Sequence, residues 1–556
     1  MTTDIDWDAE PVPDLSSFET YEQAREGFAW EIPETYNVGV DVVTRHADDR
    51  GRVALFTESA AGERDQFTFW QLERRSNELA NALRARGVER GDRVAVVAPQ
   101  RVETALAHVA AYKLGAVAVP LSVLYGPDAL EFRLADSDTT AVVADPDVFG
   151  AVGEAVETVE SVEHVVGIGA DPETPEHAVG ERFADLRGSR QFDPVETAPE
   201  DPAVLVYTSG TTGRPKGVLQ GHQYLLGHLP CVQMALEFPW HDADPVLYTP
   251  ADWAWVGGLY DVLLPAWHYG VPAVGYRSEE FDPAVTFELI ERYGVTYPLL
   301  TPTMLKTMAQ ANPADYDFGH VVAVATGGEP VPSELHDWVA GVFDAPLNEL
   351  YGQTEANLVV SNCSQWFDPE PGSMGKPVPG HTVEIVDEGG EPLPAGEVGA
   401  IAVERPDPVM FEEYWNAPEL TADSFLGEDG RWMDTDDIGS RDEDGRFWFT
   451  ARDDDVIITS GYRVGPAEVE DALLEHEAVA NAAVVGVDHE TRGKVVKAFV
   501  VVTPGADPSD ELAADIQGYV RENLAKYQYP RIVEFVDELP KTTTGKIQRY
   551  KLREQE

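Results

Sequence analysis

The stretch from Tyr207 to Val218, YTSGTTGRPKGV, concentrates small hydroxyl residues and glycines just ahead of a lysine. Thr208, Ser209, Gly210, Thr211, Thr212 and Gly213 offer side-chain O–H donors and unshielded backbone N–H groups that can converge on phosphate oxygens. Lys216 adds positive charge at the end of the run. The chemistry such a stretch serves is the holding of a polyphosphate. It is not the Walker arrangement, because Lys216 follows Pro215 and precedes Gly217, so no G-x-x-x-x-G-K-[ST] forms. A flexible Ser/Thr/Gly connector has the same composition, so the complete string and its companions decide.

The complete string resembles the signature of the adenylate-forming, or AMP-binding, superfamily, which includes acyl-CoA synthetases, peptide-synthetase adenylation domains and luciferases. Companion segments follow in that family's order. ATGGEPVP (325–332) is similar to the adenine-site segment, LYGQTEA (350–356) to the stacking and metal segment, and MDTDDIG (433–439) to the ribose segment. ARDDDVIITSGYRVGPAEVE (451–470) resembles the hinge, and PKTTTGKIQRYKL (540–552) the C-terminal lysine segment. The runs SGYRVGPAEVE, RGKVVKAFVVV (492–502) and YQYPRIVEFVDELPKTTTGKIQR (527–549) look most like medium-chain acyl-CoA synthetases.

The resemblance implies an activity: a carboxylate attacks the α-phosphorus of ATP, pyrophosphate leaves, and the thiol of coenzyme A displaces AMP from the acyl-adenylate. It also implies roles. Lys546 would bridge carboxylate and α-phosphate, Glu355 would hold Mg2+ with Thr208 as hydroxyl partner, and Thr354 would stand beside it in the same catalytic segment. Tyr351 would lie along the adenine, with Gly328, Glu329 and Pro330 bordering the ring. Asp437, aided by Arg452, would take the ribose hydroxyls, and Arg463 would reach the α-phosphate. Two departures stand out: the family's T-G-D reads Thr435, Asp436, Asp437, and its Gly-Arg reads Ala451, Arg452. If either glycine serves a positive φ, Asp436 tolerates it better than Ala451 does.

A hinge at Asp454 is implied for a small domain that rotates between the two half-reactions, exchanging Lys546 for the 461–463 segment. Gly461 resembles the position where pantetheine passes the backbone, and Arg521 aligns with a cation for the phosphates of coenzyme A. In acetate-specific members a tryptophan fills the place of Gly352, so glycine there implies room beyond two carbons. ADWAWVGGLYD (251–261) looks like the opposite wall of the acyl pocket, with Trp253, Trp255, Gly257 and Gly258 as lining candidates or, equally, as packing. A short- to medium-chain acid is the expected substrate. An aromatic, benzoate-like acid and a non-catalytic nucleotide sensor are the alternatives.

The elements that must position these residues are legible as patterns. Short apolar runs at 93–99, 116–122, 140–145, 203–210, 245–250, 271–276, 296–302 and 321–328 alternate with helical stretches such as 102–114, 283–293 and 333–343. Apolar strands separated by helices predict parallel sheets covered on both faces, an α/β architecture. Between 370 and 449 short strands and Gly/Pro turns predict a small β-rich subdomain. From 455 a helix opened by Pro466, strands at 479–487 and 494–502, a helix at 510–524 and a strand at 531–537 predict a compact α+β domain. The expected division is a large N-terminal domain (1–450), a hinge (451–455) and a mobile C-terminal domain (456–556), within the three or four cores suggested by 556 residues.

Composition limits the partners. Asp and Glu number 99 against 40 Lys and Arg, a net charge of −59, which opposes binding to nucleic-acid backbones and anionic lipid. Only ten of the basic residues are lysines. Acid excess with scarce lysine is the composition of halophilic proteins, where a Debye length of about 3 Å at 1 M salt screens the self-repulsion. Two distant cysteines, Cys231 and Cys363, give neither a disulfide framework nor a zinc pattern, and suit a reducing compartment. The N-terminus lacks the basic and apolar regions of a signal peptide, and no apolar run approaches about 18 residues, so a cytoplasmic protein is expected. A homo-oligomer is compatible with all of this.

Overall fold

The structure, a computed structural model, describes residues 11–553 and 555, apart from 209–214, 239–243, 278–279, 428, 453–454, 456, 460–461, 490–492, 504, 525–527 and 542–546. Four sheets organise them. The first runs Glu413–Tyr414, Lys216–Gly221, Pro202–Thr208, Val117–Leu121, Arg93–Val97, Thr139–Ala144, His164–Gly167 and Val179–Arg182. Its last six strands are parallel, as the apolar runs predict for the four at 93–97, 117–121, 139–144 and 202–208, whereas Lys216–Gly221 turns back antiparallel on Pro202–Thr208. That reversal sets Thr208 directly opposite Lys216.

The second sheet is Tyr297–Pro298, Leu247–Tyr248, Ala273–Arg277 and Val53–Ser59 in parallel, closed by antiparallel Arg64–Thr68. Helices fill the space between layers. Val102–Leu114 is buried around nearly its whole circumference and is mostly apolar, its buried Lys113 paired with Glu73, and Gly115 ends it in the left-handed conformation at φ 66°. Phe69–Arg84 starts at a reciprocal capping box between Thr68 and Gln71. Pro283–Tyr293 opens with the Asp282 side chain accepting from the Ala284 N–H and closes at Gly294.

The β-rich subdomain expected at 370–449 is built on the third sheet. Its order is Val324–Gly327, Leu347–Gln353, Ala356–Ser361, Ser373–Pro377, Phe447–Arg452, Trp432–Arg441, Val398–Glu404 and Val383–Val386. Ser373–Pro377 pairs with Ala356–Ser361 on one side and Phe447–Arg452 on the other, so the β-rich stretch continues the sheet that carries Tyr351. The free edge of Ala356–Ser361 supplies the physical reason, since an unpaired strand edge invites a further strand.

The fourth sheet runs Tyr462–Val464, Ile457–Thr459, Gly493–Val502 and Val479–His489, with Ile532–Phe535 also pairing to Gly493–Val502, and uses only residues from Ile457 onward. Helices Pro466–Leu474 and Asp510–Asn523 contribute Val469, Leu473, Ile516 and Val520 to the core on this sheet. Pro466 opens the first of them as the sequence predicts, and the second starts where the Ser509 side chain accepts from the Leu512 N–H.

Candidate active site

The site is built on strand ends and hairpins of the first and third sheets. Thr208 and Lys216 face each other across the 208–216 hairpin mouth. Glu413–Tyr414 pairs antiparallel with Lys216–Gly221, and this short edge strand places the Tyr414 ring 5.1 Å from the Lys216 ammonium. The Tyr414 hydroxyl then donates to Glu355 Oε1 at 2.7 Å. Lysine, tyrosine and glutamate form one chain from the hairpin to the third sheet.

Glu355 is buried, and its backbone is fixed on both sides. The Thr354 carbonyl accepts from Gln220 Nε2 at 2.6 Å and from the Tyr224 hydroxyl at 3.0 Å, while the Glu355 carbonyl accepts from the Phe411 N–H at 2.8 Å. Burial raises the Glu355 carboxyl above its ordinary range, with the Tyr414 hydrogen bond and the charges of Lys216 and Arg452 opposing. Among the described residues it has no ion pair within 4.0 Å. A buried carboxylate of this kind gains from a hard cation, and Mg2+ takes one or two protein carboxylates with phosphate oxygens completing its shell. The donor set fits that ion.

Tyr351 lies on Leu347–Gln353, which runs parallel to Val324–Gly327 with Gly327 opposite Leu350. Gly328 follows at φ 84°, and Glu329 behind it accepts from Thr303 Oγ1 at 2.6 Å, ahead of Pro330. The Tyr351 hydroxyl donates to Asp437 Oδ2 at 2.7 Å. Asp437 is paired in register with Arg452 across two antiparallel strands, and Arg452 Nε stands 3.3 Å from Asp437 Oδ1. Burial and the neighbouring Asp437 push the Tyr351 phenol well above its ordinary value. Asp436 has φ 56°, whereas Ala451 does not adopt a positive φ. The sequence departure at Asp436 therefore sits at the one of the two places where glycine-like freedom is used, and aspartate is among the few side chains that enter it.

The acyl-side candidates divide. Trp253 is 1% exposed and packs on strand Ala273–Arg277, where a Cβ at Gly275 would stand 3.0 Å from its ring. It is a core residue. Trp255 is half-buried and meets Tyr125 edge-on at 6.3 Å. Gly258 and Gly352 are glycines because backbone crowds them: a Cβ at 258 would lie 2.6 Å from the Ala251 carbonyl oxygen, and one at 352 would lie 2.7 Å from Asn357 Cα. A side chain at 352 would meet the Asn357–Leu358 backbone of its own hairpin, which gives the glycine a packing reason beside the room inferred from it. Gly257 differs, because a Cβ there would find only Asp261 Oδ2, at 3.8 Å.

Ser209, Gly210, Thr211, Thr212, Gly213, Asp454, Gly461 and Lys546 lie outside the described residues, and of Arg463 the backbone alone is described, in Tyr462–Val464. Arg521 is exposed near the end of Asp510–Asn523, its guanidinium 5.8 Å from the Tyr529 ring. Tyr414 and Tyr224, which hold Glu355 and Thr354, escaped sequence reasoning; Tyr414 belongs to a two-residue edge strand with no periodic signal.

Comparison with known proteins gives these features a family. The AMP-binding enzyme profile matches residues 43–415, and the AMP-binding enzyme C-terminal domain profile matches 468–546. The chain is 34% identical over 524 residues to acetyl-coenzyme A synthetase of Bacillus subtilis, covering 93% of this chain and 90% of that protein. It is 35% identical over 543 residues to the mitochondrial acyl-coenzyme A synthetase ACSM4 of Mus musculus, with 94% and 91% covered. Among solved structures, the anthranilate CoA ligase AuaEII in complex with anthranoyl-AMP superposes with a TM-score of 0.85 at 28% identity, covering 94% of this chain and 98% of that one. A benzoate CoA ligase from Burkholderia xenovorans LB400 gives 0.80 at 29%, covering 93% and 100%.

Proposed function

The chain belongs to the AMP-binding enzyme family, and on that premise we propose that it is an ATP-dependent acid–CoA ligase, forming acyl-CoA, AMP and pyrophosphate through an acyl-adenylate. The observation that carries the reading is the convergence of three groups: the Thr208–Lys216 hairpin, Glu355 behind Tyr414, and the Tyr351–Asp437–Arg452 set. They supply cation, metal-type ligand and ribose-type acceptor in the order that ATP requires.

In the first half-reaction an oxygen of the acid forms a bond to the α-phosphorus as the bond to pyrophosphate breaks. Two anions meet, so fixed donors and cations aimed at the developing charge lower the barrier. Lys216 and the hydroxyl-rich loop hold the outgoing phosphates in this account, and Lys546 bridges the reacting pair. Asp437 accepts from the ribose while Arg452 and Tyr351 keep its carboxylate oriented. Glu355 and Thr208 would hold Mg2+, which when bound neutralises phosphate charge. In the second half the sulfur of coenzyme A, its proton released to solvent, forms the thioester as the bond to AMP breaks. Exchange of Lys546 for the 461–463 segment about Asp454, with the domains divided at 451–455, separates the halves.

The acid is proposed to be short- to medium-chain, supported by identities of 34% and 35% to relatives named acetyl-coenzyme A synthetase and acyl-coenzyme A synthetase ACSM4. An aromatic acid is the second reading, supported by the benzoate and anthranilate ligases among the structural neighbours and by the Trp255–Tyr125 pair. Among the described residues no helix is long and apolar enough to cross a membrane. A cytoplasmic setting and adaptation to molar salt complete the proposal, supported by the charge of −59.

The test is AMP and pyrophosphate release in Mg2+ and concentrated KCl, across acetate, propionate, butyrate, hexanoate, octanoate and benzoate, with and without coenzyme A. CoA-dependent turnover is expected, rising toward molar KCl. Bound ATP with no turnover on any acid would favour a sensor. Lys546→Ala should lower adenylate formation by about 10³-fold or more while sparing thioester formation from preformed adenylate; equal loss of both would contradict its role.

A further inference from the structure

A buried carboxyl sits at the acyl side without a charge partner. Asp261 lies in a π-helical turn, Leu259–Leu263, at the end of the 251–261 segment, and only 7% of its side chain is exposed. Turns of this kind interrupt an α-helix at some cost and occur often at functional sites. Oδ1 accepts from Asn357 Nδ2 at 2.7 Å. The same amide nitrogen lies 3.0 Å from His228 Nε2, whose ring is anchored through Nδ1 to the Tyr224 carbonyl at 2.6 Å. With Nδ1–H donating to that carbonyl, Nε2 is left as an acceptor for the Asn357 amide, so the imidazole is neutral. Although His228 Nε2 is 3.6 Å from Asp261 Oδ1, it therefore offers no cation. Burial agrees, holding His228 down to about 3.

Oδ2 is different. Among the described residues it has no hydrogen-bond partner, and it points toward Gly257, where a Cβ would meet no other group within 4 Å apart from its chain neighbours and own helix. Gly257 is half-buried, so the space beside Oδ2 is open on that side. Asn357 also backs Gly352, the other glycine that the sequence placed at the acyl pocket. The Asp261–Asn357 pair thus spans the two segments expected to wall that pocket. A carboxyl oxygen of a largely buried side chain that faces open space without a protein donor is placed to take one from a molecule filling that space.

We infer that Asp261 is a specificity-determining residue whose Oδ2 receives a hydrogen-bond donor, an amino or hydroxyl group, carried on the acyl portion of the acid substrate. The inference rests on the acid–CoA ligase reading and deepens it by naming the substrate class. A plain alkyl acid leaves Oδ2 unsatisfied, whereas an amino or hydroxy acid of matching length satisfies it. Sites built to bond a polar substituent reject the analogue lacking it far more strongly than apolar pockets reject a missing methylene.

The experiment measures kcat/KM for CoA-dependent AMP release on matched pairs: butyrate with 4-hydroxybutyrate and 4-aminobutyrate, hexanoate with 6-hydroxyhexanoate and 6-aminohexanoate, and benzoate with 2-aminobenzoate and 4-hydroxybenzoate. The unaltered enzyme should prefer a donor-bearing member of at least one pair by about tenfold or more. Asp261→Leu should reverse that preference, chiefly by lowering the donor-bearing acid. Asp261→Asn, which keeps an acceptor for Asn357, serves as the second variant if leucine disturbs folding. Preference for the unsubstituted acid in every pair overturns the inference and leaves the ligase reading standing. So does an equal loss on both members in a folded variant. Silence across the whole panel overturns both.

Discussion

Asp437 and Asp261 are both buried aspartates beside the site, and their surroundings are opposite. Asp437 is met by Arg452 at 3.3 Å and by the Tyr351 hydroxyl at 2.7 Å, so its charge is balanced before any ligand arrives. Asp261 is met by the Asn357 amide at 2.7 Å, and among the described residues no cation lies within ion-pair distance. Burial accordingly raises its carboxyl well above the ordinary range while no donor faces Oδ2, and a donor arriving with the ligand favours the ionised form and opposes that rise. On the side proposed for the nucleotide, charges are already in place. On the side proposed for the acyl group, one polar group is left whose partner, by the inference above, comes from the ligand.

The largest way to break this contrast is at the balanced end. Asp437→Asn removes the charge that Arg452 faces and one ribose acceptor, and kcat/KM for ATP should fall about 10²- to 10³-fold with little change in the choice among acids. A change in acid preference instead would mean that the two sides are not separable. Steady-state kinetics with ATP varied and acid saturating decides between them.

Glu355→Gln sharpens the contrast by giving opposite signs in two measurements. A carboxyl raised in the fold is easier to keep protonated, so stability is lost as pH rises through the unfolded value of about 4.5 and stays lower above the folded one. At neutral pH the glutamine variant should melt higher than the parent without ligands, while its Mg2+-dependent turnover collapses. Thermal melts with and without MgATP test this, and equal destabilisation in both would contradict the burial cost assigned to Glu355.

The smallest effect concerns His228. Its imidazole is held down to about 3 against an ordinary 6.5, as are those of His108 and His222, because burial disfavours the charged ring. The unfolded chain takes up protons below 6.5 that the native chain refuses, so stability should fall as pH drops from about 6.5 toward 3. Each such ring contributes up to about 1.4 kcal/mol per pH unit. His228→Gln should shallow that decline between pH 6.5 and 5 in denaturant titrations. An unchanged slope would mean that His228 protonates in the fold, making Asp261 as balanced as Asp437.

The residues proposed for the nucleotide side could be picked out of the chain because they lie in contiguous strings whose order is itself informative. The strands at 93–97, 117–121, 139–144 and 202–208 follow the apolar runs within one or two residues, and helices 102–114, 283–293 and 333–343 coincide with theirs. Even the positive φ at Asp436 could be anticipated from residue type. What stayed hidden depends on contacts distant in sequence. The pairing of Ser373–Pro377 with Ala356–Ser361 follows from a free sheet edge, and local pattern carries no record of which strand will take it. Gly352 is demanded by the backbone of Asn357, and Tyr414 reaches Glu355 across 59 positions. Asp261 reads as one more acidic residue until Asn357, 96 positions away, is seen on one oxygen and open space on the other.

The most direct test of the central claim is acid-dependent exchange of labelled pyrophosphate into ATP, with Mg2+ in concentrated KCl and no coenzyme A. Exchange that requires an acid, followed by conversion to AMP and acyl-CoA once coenzyme A is added, is the predicted result. ATP bound at the Asp437–Arg452 end with no exchange on any acid would contradict it.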